Sequence, residues 1–187
     1  MRTEIQKAKE ILQRAAGNAK LYHENITRVR QTCKPEHILS EIKTYADPLR
    51  QSMIQAAQEA EEALGGLAST LRAGMVIRGE EYDSATMAAI NALEPDAAEL
   101  SEIAKRYEGN ETMLRALNQY CTKNKIVADI PVSGQSKIAA VDLLRGDISY
   151  VLQDAANLDS KYGNDQLQHF AENFDSVFSD RISIIGE

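Results

Sequence analysis

The sequence predicts an all-α protein: a long, coiled-coil-like antiparallel helical hairpin at the N-terminus, followed by a helical bundle that leaves room for a minor short-stranded element. Three observations carry this. Apolar residues recur at steps of three and four through the first 73 positions, the period of a helix face and not of a strand. Aromatics make up only 5% of the 187 residues and Trp is absent, so the interior must be built from Ala, Leu and Ile, as helix-rich proteins build theirs. Beyond residue 73, Gly, Pro, Asn and Asp fall at short-helix intervals, as caps and stops do.

The first helix has the most regular pattern. Ile5, Ala8, Leu12, Ala15, Ala19, Tyr22, Ile26, Val29 and Cys33 form a heptad seam of about four repeats, long enough to suggest coiled-coil packing within the chain or between copies. Of these, Ile5, Leu12, Ala19, Tyr22, Ile26 and Val29 are the candidate oligomer or packing residues. Pro35 ends this helix and suits the first turn of the next, where its missing N–H is harmless. The second seam is Ile38, Ile42, Tyr45, Leu49, Met53, Ala56, Ala60, Ala63, Leu67 and Leu71, expected to run antiparallel to the first. Asp47-Pro48 should kink or break it for a turn, and Gly65-Gly66 should weaken it. Residues 1–73 are therefore read as a hairpin arm and 74–187 as a bundle domain.

The bundle announces itself through caps. Asp83 or Ser84 should open one helix, Pro95-Asp96 a second that stops at Gly109, and Asn110 a third. Ile126–Val132 reads as extended, being β-branched and holding Pro131. The Ser133–Ser136 turn leads into a long helix carrying Ile138, Val141, Leu144, Ile148 and Ala155, which should stop at Gly163. A last helix carries Leu167, Phe170, Phe174, Val177 and Phe178, and Ile182–Ile185 reads as a terminal strand. The β-branched stretches at Met75–Arg78, Ile126–Val132 and Ile182–Ile185 are candidates for a minor sheet.

Composition narrows function more than it defines it. The net charge is −7, which argues against general nucleic-acid binding, since that needs clustered Lys and Arg. The charge is uneven: residues 1–50 hold ten Lys/Arg against six Asp/Glu, a net of +4, leaving −11 for the rest, an asymmetry that favours packing of one region on the other or on a second copy. No stretch approaches the roughly 18 apolar residues of a membrane span, and MRTEIQKAKE is too charged to precede a signal-peptide core. A cytoplasmic location is expected. Cys33 and Cys121 form no C-x-x-C pair, so reduced structural thiols are expected.

Chemistry-bearing motifs are sparse. No nucleophile elbow, dinucleotide fingerprint, P-loop or H-E-x-x-H occurs in the sequence, so no catalytic residue, metal ligand or cofactor is assigned. His37 with Glu41, and Asp165 with His169, stand four apart but read as surface polar pairs. Ser133, Gly134, Ser136 and Lys137 make a helix start that could hold an anion, against the simpler reading of a cap. Phe170, Phe174 and Phe178 form a stripe that either seals the core or docks a partner helix. Tyr107-x-x-x-Glu111 and Tyr150-x-x-x-Asp154 resemble the export tag of small WXG-type secreted helical proteins, but Trp is missing and Gly109-Asn110 interrupt the first, so both are read as chance spacings. The expectation is a non-enzymatic structural, assembly or interaction protein acting through helical self-association. Viral capsid or prophage-structural proteins are the analogy. Its partner would be a second copy or another helical protein, with neither nucleic acid nor membrane. The alternative is a helical small-ligand or anion binder, or an enzyme, with its site near Ser133–Lys137.

Overall fold

The computed structural model describes residues 2–75, 77–158 and 162–186, and every regular element among them is helical. In chain order these are α1 (Arg2–Thr32), α2 (Pro35–Gly74), α3 (Ser84–Leu93), α4 (Ala97–Arg106), α5 (Glu111–Asn124), α6 (Gly134–Ala156), α7 (Gly163–Glu172), α8 (Phe174–Val177) and α9 (Ser179–Gly186), with one 3-10 turn at Gly79–Glu81. The all-α class holds. No strand forms among the described residues; Val76 of the Met75–Arg78 stretch lies outside them, and the other two candidate stretches hold no strand.

The chain forms two compact units, residues 1–68 with 140–186, and 69–139. The expected boundary at residue 73 is therefore crossed: α6 beyond residue 140 and α7–α9 share a unit with α1 and α2, instead of forming a bundle of their own.

In the first unit, α1 lies between two antiparallel neighbours. Toward α2, Arg14 pairs with Glu59, and the Asn18 amide donates to Ser52 Oγ at 2.7 Å. Toward α7 and α8, Asn164 meets His23 at 2.7 Å, Gln168 donates to the Ala16 carbonyl at 2.7 Å, and Lys9 pairs with Asp175 at 2.5 Å. The burial pattern of α1 follows from this. Between Ile5 and Ala19 it buries the seam and also Ile11 and Ala16, a face wide enough for two neighbours, whereas from Ile26 onward it buries only Ile26 and Val29. Against α6, Gly163 sets how closely the start of α7 approaches: a Cβ there would sit 2.7 Å from the Asp154 carbonyl oxygen. α6 is held by Arg145 to Glu61 of α2 at 3.4 Å and by Asp147 to Arg181 of α9 at 2.5 Å.

α2 continues as one helix through Asp47-Pro48 and Gly65-Gly66, so of the expected kink or one-turn break, the break is absent. Proline removes one intrahelical hydrogen bond, and the apolar face of Ala46, Leu49, Met53, Ala56, Ala60, Leu64 and Leu67 is buried straight across the site. Packing of that face outweighs the lost bond. The Ile182–Ile185 stretch is likewise helical, within α9. Its apolar residues continue the three-to-four spacing of Phe170, Phe174 and Phe178, and that periodicity overrides β-branched propensity.

The second unit has its own core of Met87, Ile90, Leu100, Ala104, Met113, Leu117, Tyr120 and Cys121. Its caps are those the sequence foretells. Asp83 caps α3, Asp96 and Glu99 form a capping box on α4, and Asn110 caps α5. Gly109, with φ +82°, makes the turn between α4 and α5. Ile126–Val132 is neither helix nor strand: Ile126, Ala128 and Ile130 pack on the core while Val127 is 93% exposed, and the Asp129 N–H donates to Ser101 Oγ at 2.8 Å. With no second strand beside it, the segment uses its period of two to lie across helices.

Candidate functional site

The seam residues do not form a free surface. Ile5, Leu12, Ala19, Ile26 and Val29 are buried within the single chain, and Tyr22 alone of the six keeps part of its ring at the surface. The Phe stripe is built in the same way. Phe174 and Phe178 are 1% exposed and Phe170 is half-buried. Edge contacts join Phe178 to Phe170 at 5.2 Å and to Phe174 at 5.0 Å, and the Arg181 guanidinium sits 5.6 Å over the Phe178 ring. Phe174 and Phe178 seal the first unit, and Phe170 alone of the three keeps part of its ring at the surface.

At the start of α6, Ser133 is buried and its Oγ accepts from the Ser136 N–H at 3.2 Å, the expected cap. The Gly134 N–H donates to Glu111 Oε2 at 2.7 Å, and Arg115 approaches Glu111 Oε1 at 4.0 Å while donating to Gln135 at 3.2 Å. The chain's own carboxylate thus takes the position at which an anion would meet the Gly134 N–H. Two open clefts flank this start. One, of about 480 Å³, is edged by Arg115, Lys123, Ser133, Gln135 and Ser136 with no carboxylate on its wall. The other, of about 800 Å³, mixes Lys105 and Lys137 with Glu108, Glu111 and Asp129.

His37 approaches Glu36 at 3.9 Å, and His169 contacts Asn173 at 3.3 Å. Among the described residues no group of three or more His, Cys, Asp and Glu side chains converges to hold a metal ion, and no helix is long and apolar enough to cross a membrane. Burial pushes the Cys121 thiol above its ordinary pKa, the inert condition for a cysteine.

One polar cluster stands out by its geometry. The Tyr107 phenol donates to Asp83 Oδ2 at 2.5 Å, where the Thr86 hydroxyl also donates at 2.7 Å, and the Thr86 N–H donates to Asp83 Oδ1 at 2.9 Å. These bonds, the Thr86 N–H first, hold the Asp83 carboxyl down at a pKa of about 2, and the Asp83 carboxylate pushes the Tyr107 phenol up. A carboxylate stabilised in its charged form is a poor general base near neutral pH. The cluster is a reinforced helix cap.

A groove between α1 and α2 was not foreseen. About 320 Å³ in volume, it is edged by Asn18, Leu21, Tyr22, Asn25, Tyr45, Pro48, Leu49 and Ser52. Leu21 is 58% exposed on its rim. The sequence signal was Leu21 itself, an apolar residue one position off the seam. No family model, curated protein or solved structure matches the chain.

Proposed function

We propose that this protein is a non-enzymatic assembly or interaction protein that works by helical self-association. The observation that carries the reading is the apolar surface left on the helices of the first unit. Leu21, Leu39, Ile54, Leu143 and Tyr150 are between 55% and 81% exposed, each a large side chain on a well-formed helix. Single exposed apolar residues are ordinary on a protein surface, and we read these five as association contacts because all are large side chains on helices of the same unit. The uneven charge supports a like partner, since the basic first 50 residues and the acidic remainder complement one another between copies. Sedimentation velocity over a hundredfold range of protein concentration tests the reading: the mean mass should rise with concentration, and a single monomeric species throughout would overturn it.

A second reading is favoured by one observation. The carboxylate-free cleft edged by Arg115, Lys123 and Ser136 is a cationic recess beside a helix start, and it suits a small phosphate-bearing ligand. Thermal-shift titration with inorganic phosphate and nucleotides decides it. A saturable rise in melting temperature that disappears in Arg115→Ala supports the recess, and a flat response overturns it.

A further inference from the structure

We propose that a second copy of this chain docks on the α1–α2 groove, hairpin against hairpin, about a two-fold axis parallel to the hairpin; the inference rests on the self-association reading and names its surface. The groove is apolar at its centre, with Leu21, Tyr22, Tyr45, Pro48 and Leu49 on its walls. What selects a like partner is the charge just beyond it. One turn past Asn25 on the α1 wall stands Arg28, and one turn before Tyr45 on the α2 wall stands Glu41. Both are exposed. Among the described residues, the Arg28 guanidinium donates only to Asn25 Oδ1, at 2.7 Å, and no ion pair engages either Arg28 or Glu41.

The two charges lie at one level of the hairpin. Starting from the Asn18–Ser52 hydrogen bond, Arg28 is ten positions on along α1 and Glu41 eleven positions back along α2, about 15 and 16 Å of helix rise respectively. A two-fold axis along the hairpin sets the α1 wall of one copy against the α2 wall of the other without shifting level. Each Arg28 then meets the second copy's Glu41, and the pair is made twice, as an isologous interface requires. By the same operation each Leu21 comes to the level of the second copy's Pro48, over the apolar floor of the groove. Neither residue needs to leave its helix. Apolar contact at the centre supplies affinity and the flanking charges fix the register.

The test uses the full chain and four variants: Leu21→Asp, Arg28→Glu, Glu41→Arg, and Arg28→Glu with Glu41→Arg together, each followed by sedimentation velocity at low and moderate salt. These are exposed positions, so far-UV circular dichroism at a concentration where the chain is monomeric should match the parent. A Leu21→Ser variant repeats the groove test with a smaller polar group. The expected result is about a tenfold or greater rise in dissociation constant for Leu21→Asp, the effect of a desolvated charge in an apolar contact. Each single charge reversal should weaken association by about three- to tenfold at low salt, and the double reversal should restore it to within about threefold of the parent. A parent that associates while all variants keep its dissociation constant would overturn this docking surface and leave self-association standing. Failure of the double reversal to restore what the single reversals lost would overturn the two-fold arrangement. A parent that is monomeric at every concentration would overturn both.

Discussion

At the residue scale, local polar chemistry stabilises turns and helix starts. Asp83 is the clearest case, because its carboxylate gathers a backbone N–H, a hydroxyl and a phenol. Its pKa of about 2 lies below the ordinary value of 3.8, and the sign of the consequence is fixed. A carboxylate depressed in the folded state contributes stability that is fully present above about pH 4 and is lost as the pH falls through about 2. Tyr107→Phe should therefore raise the Asp83 pKa toward its ordinary range, measurable by NMR titration of the carboxyl carbon, and Asp83→Asn should flatten the acid limb of the stability curve in that window. An unchanged Asp83 pKa in Tyr107→Phe would show that the phenol does not hold the charge. A second residue-scale expectation concerns Lys125, whose φ of +56° closes α5 in the left-handed region. Lys125→Gly should stabilise the second unit by about 0.5–1 kcal/mol, since glycine meets no Cβ penalty there, and chemical denaturation reads it directly.

At the element scale, the division between buried seam and solvated flank sets what substitutions cost. Leu12 is 0% exposed, whereas Arg14, two residues on, pairs with Glu59 while its own side chain is 54% exposed. Leu12→Asp places an unpaired carboxylate in the seam and should unfold the first unit or cost several kcal/mol, while Arg14→Ala should change stability by less than about 1 kcal/mol. Equal melting temperatures for the two variants would deny the seam its role. Gly163→Ala is a third element-scale test, because the added Cβ would meet the Asp154 carbonyl and should cost about 1–3 kcal/mol through forced displacement of α7 from α6. Elements with their own internal signal were legible in the sequence: the seams of α1 and α2, the Asp83, Asp96 and Asn110 caps, and the Gly109 stop all stand where periodicity and cap chemistry put them. Three features were not. The strand reading of Ile182–Ile185 failed because propensity is local whereas the Phe-to-Ile periodicity runs through three helices, α7 to α9. The break at Pro48 failed because one missing hydrogen bond is small beside a continuous buried face. The Glu111 carboxylate on the Gly134 N–H joins residues 23 apart, a pairing set by how α5 and α6 meet.

At the scale of the whole molecule, the decisive fact is that the first unit is discontinuous in sequence. Its closing contacts, His23 with Asn164, Ala16 with Gln168 and Lys9 with Asp175, join residues 141 to 166 positions apart, whereas the second unit is made of consecutive residues. No periodicity within a window of a few turns could have revealed that division, because α1 carries one pattern whether its neighbour is the next helix or the last. Thermodynamically the long connection matters little, since each doubling of loop length costs only about 0.6 kcal/mol. The missing partner matters far more. A chain ending at residue 157 lacks α7–α9, and with them Leu167, Phe174 and Phe178, each no more than 1% exposed in the intact unit. It would uncover Ala16, a buried residue of α1 that lies off the seam and whose carbonyl accepts from Gln168. That truncated chain should lose the cooperative thermal transition of the first unit and aggregate at micromolar concentration. The segment 69–139, holding the Met87–Cys121 core intact, should as an isolated fragment keep its helical circular dichroism and melt cooperatively, though with the slender margin expected of so small a core. Calorimetry separates the cases: an unchanged unfolding enthalpy in the truncated chain would mean that α7–α9 are attached to the first unit without stabilising it, and a structureless 69–139 fragment would mean that its core does not hold without the rest of the chain.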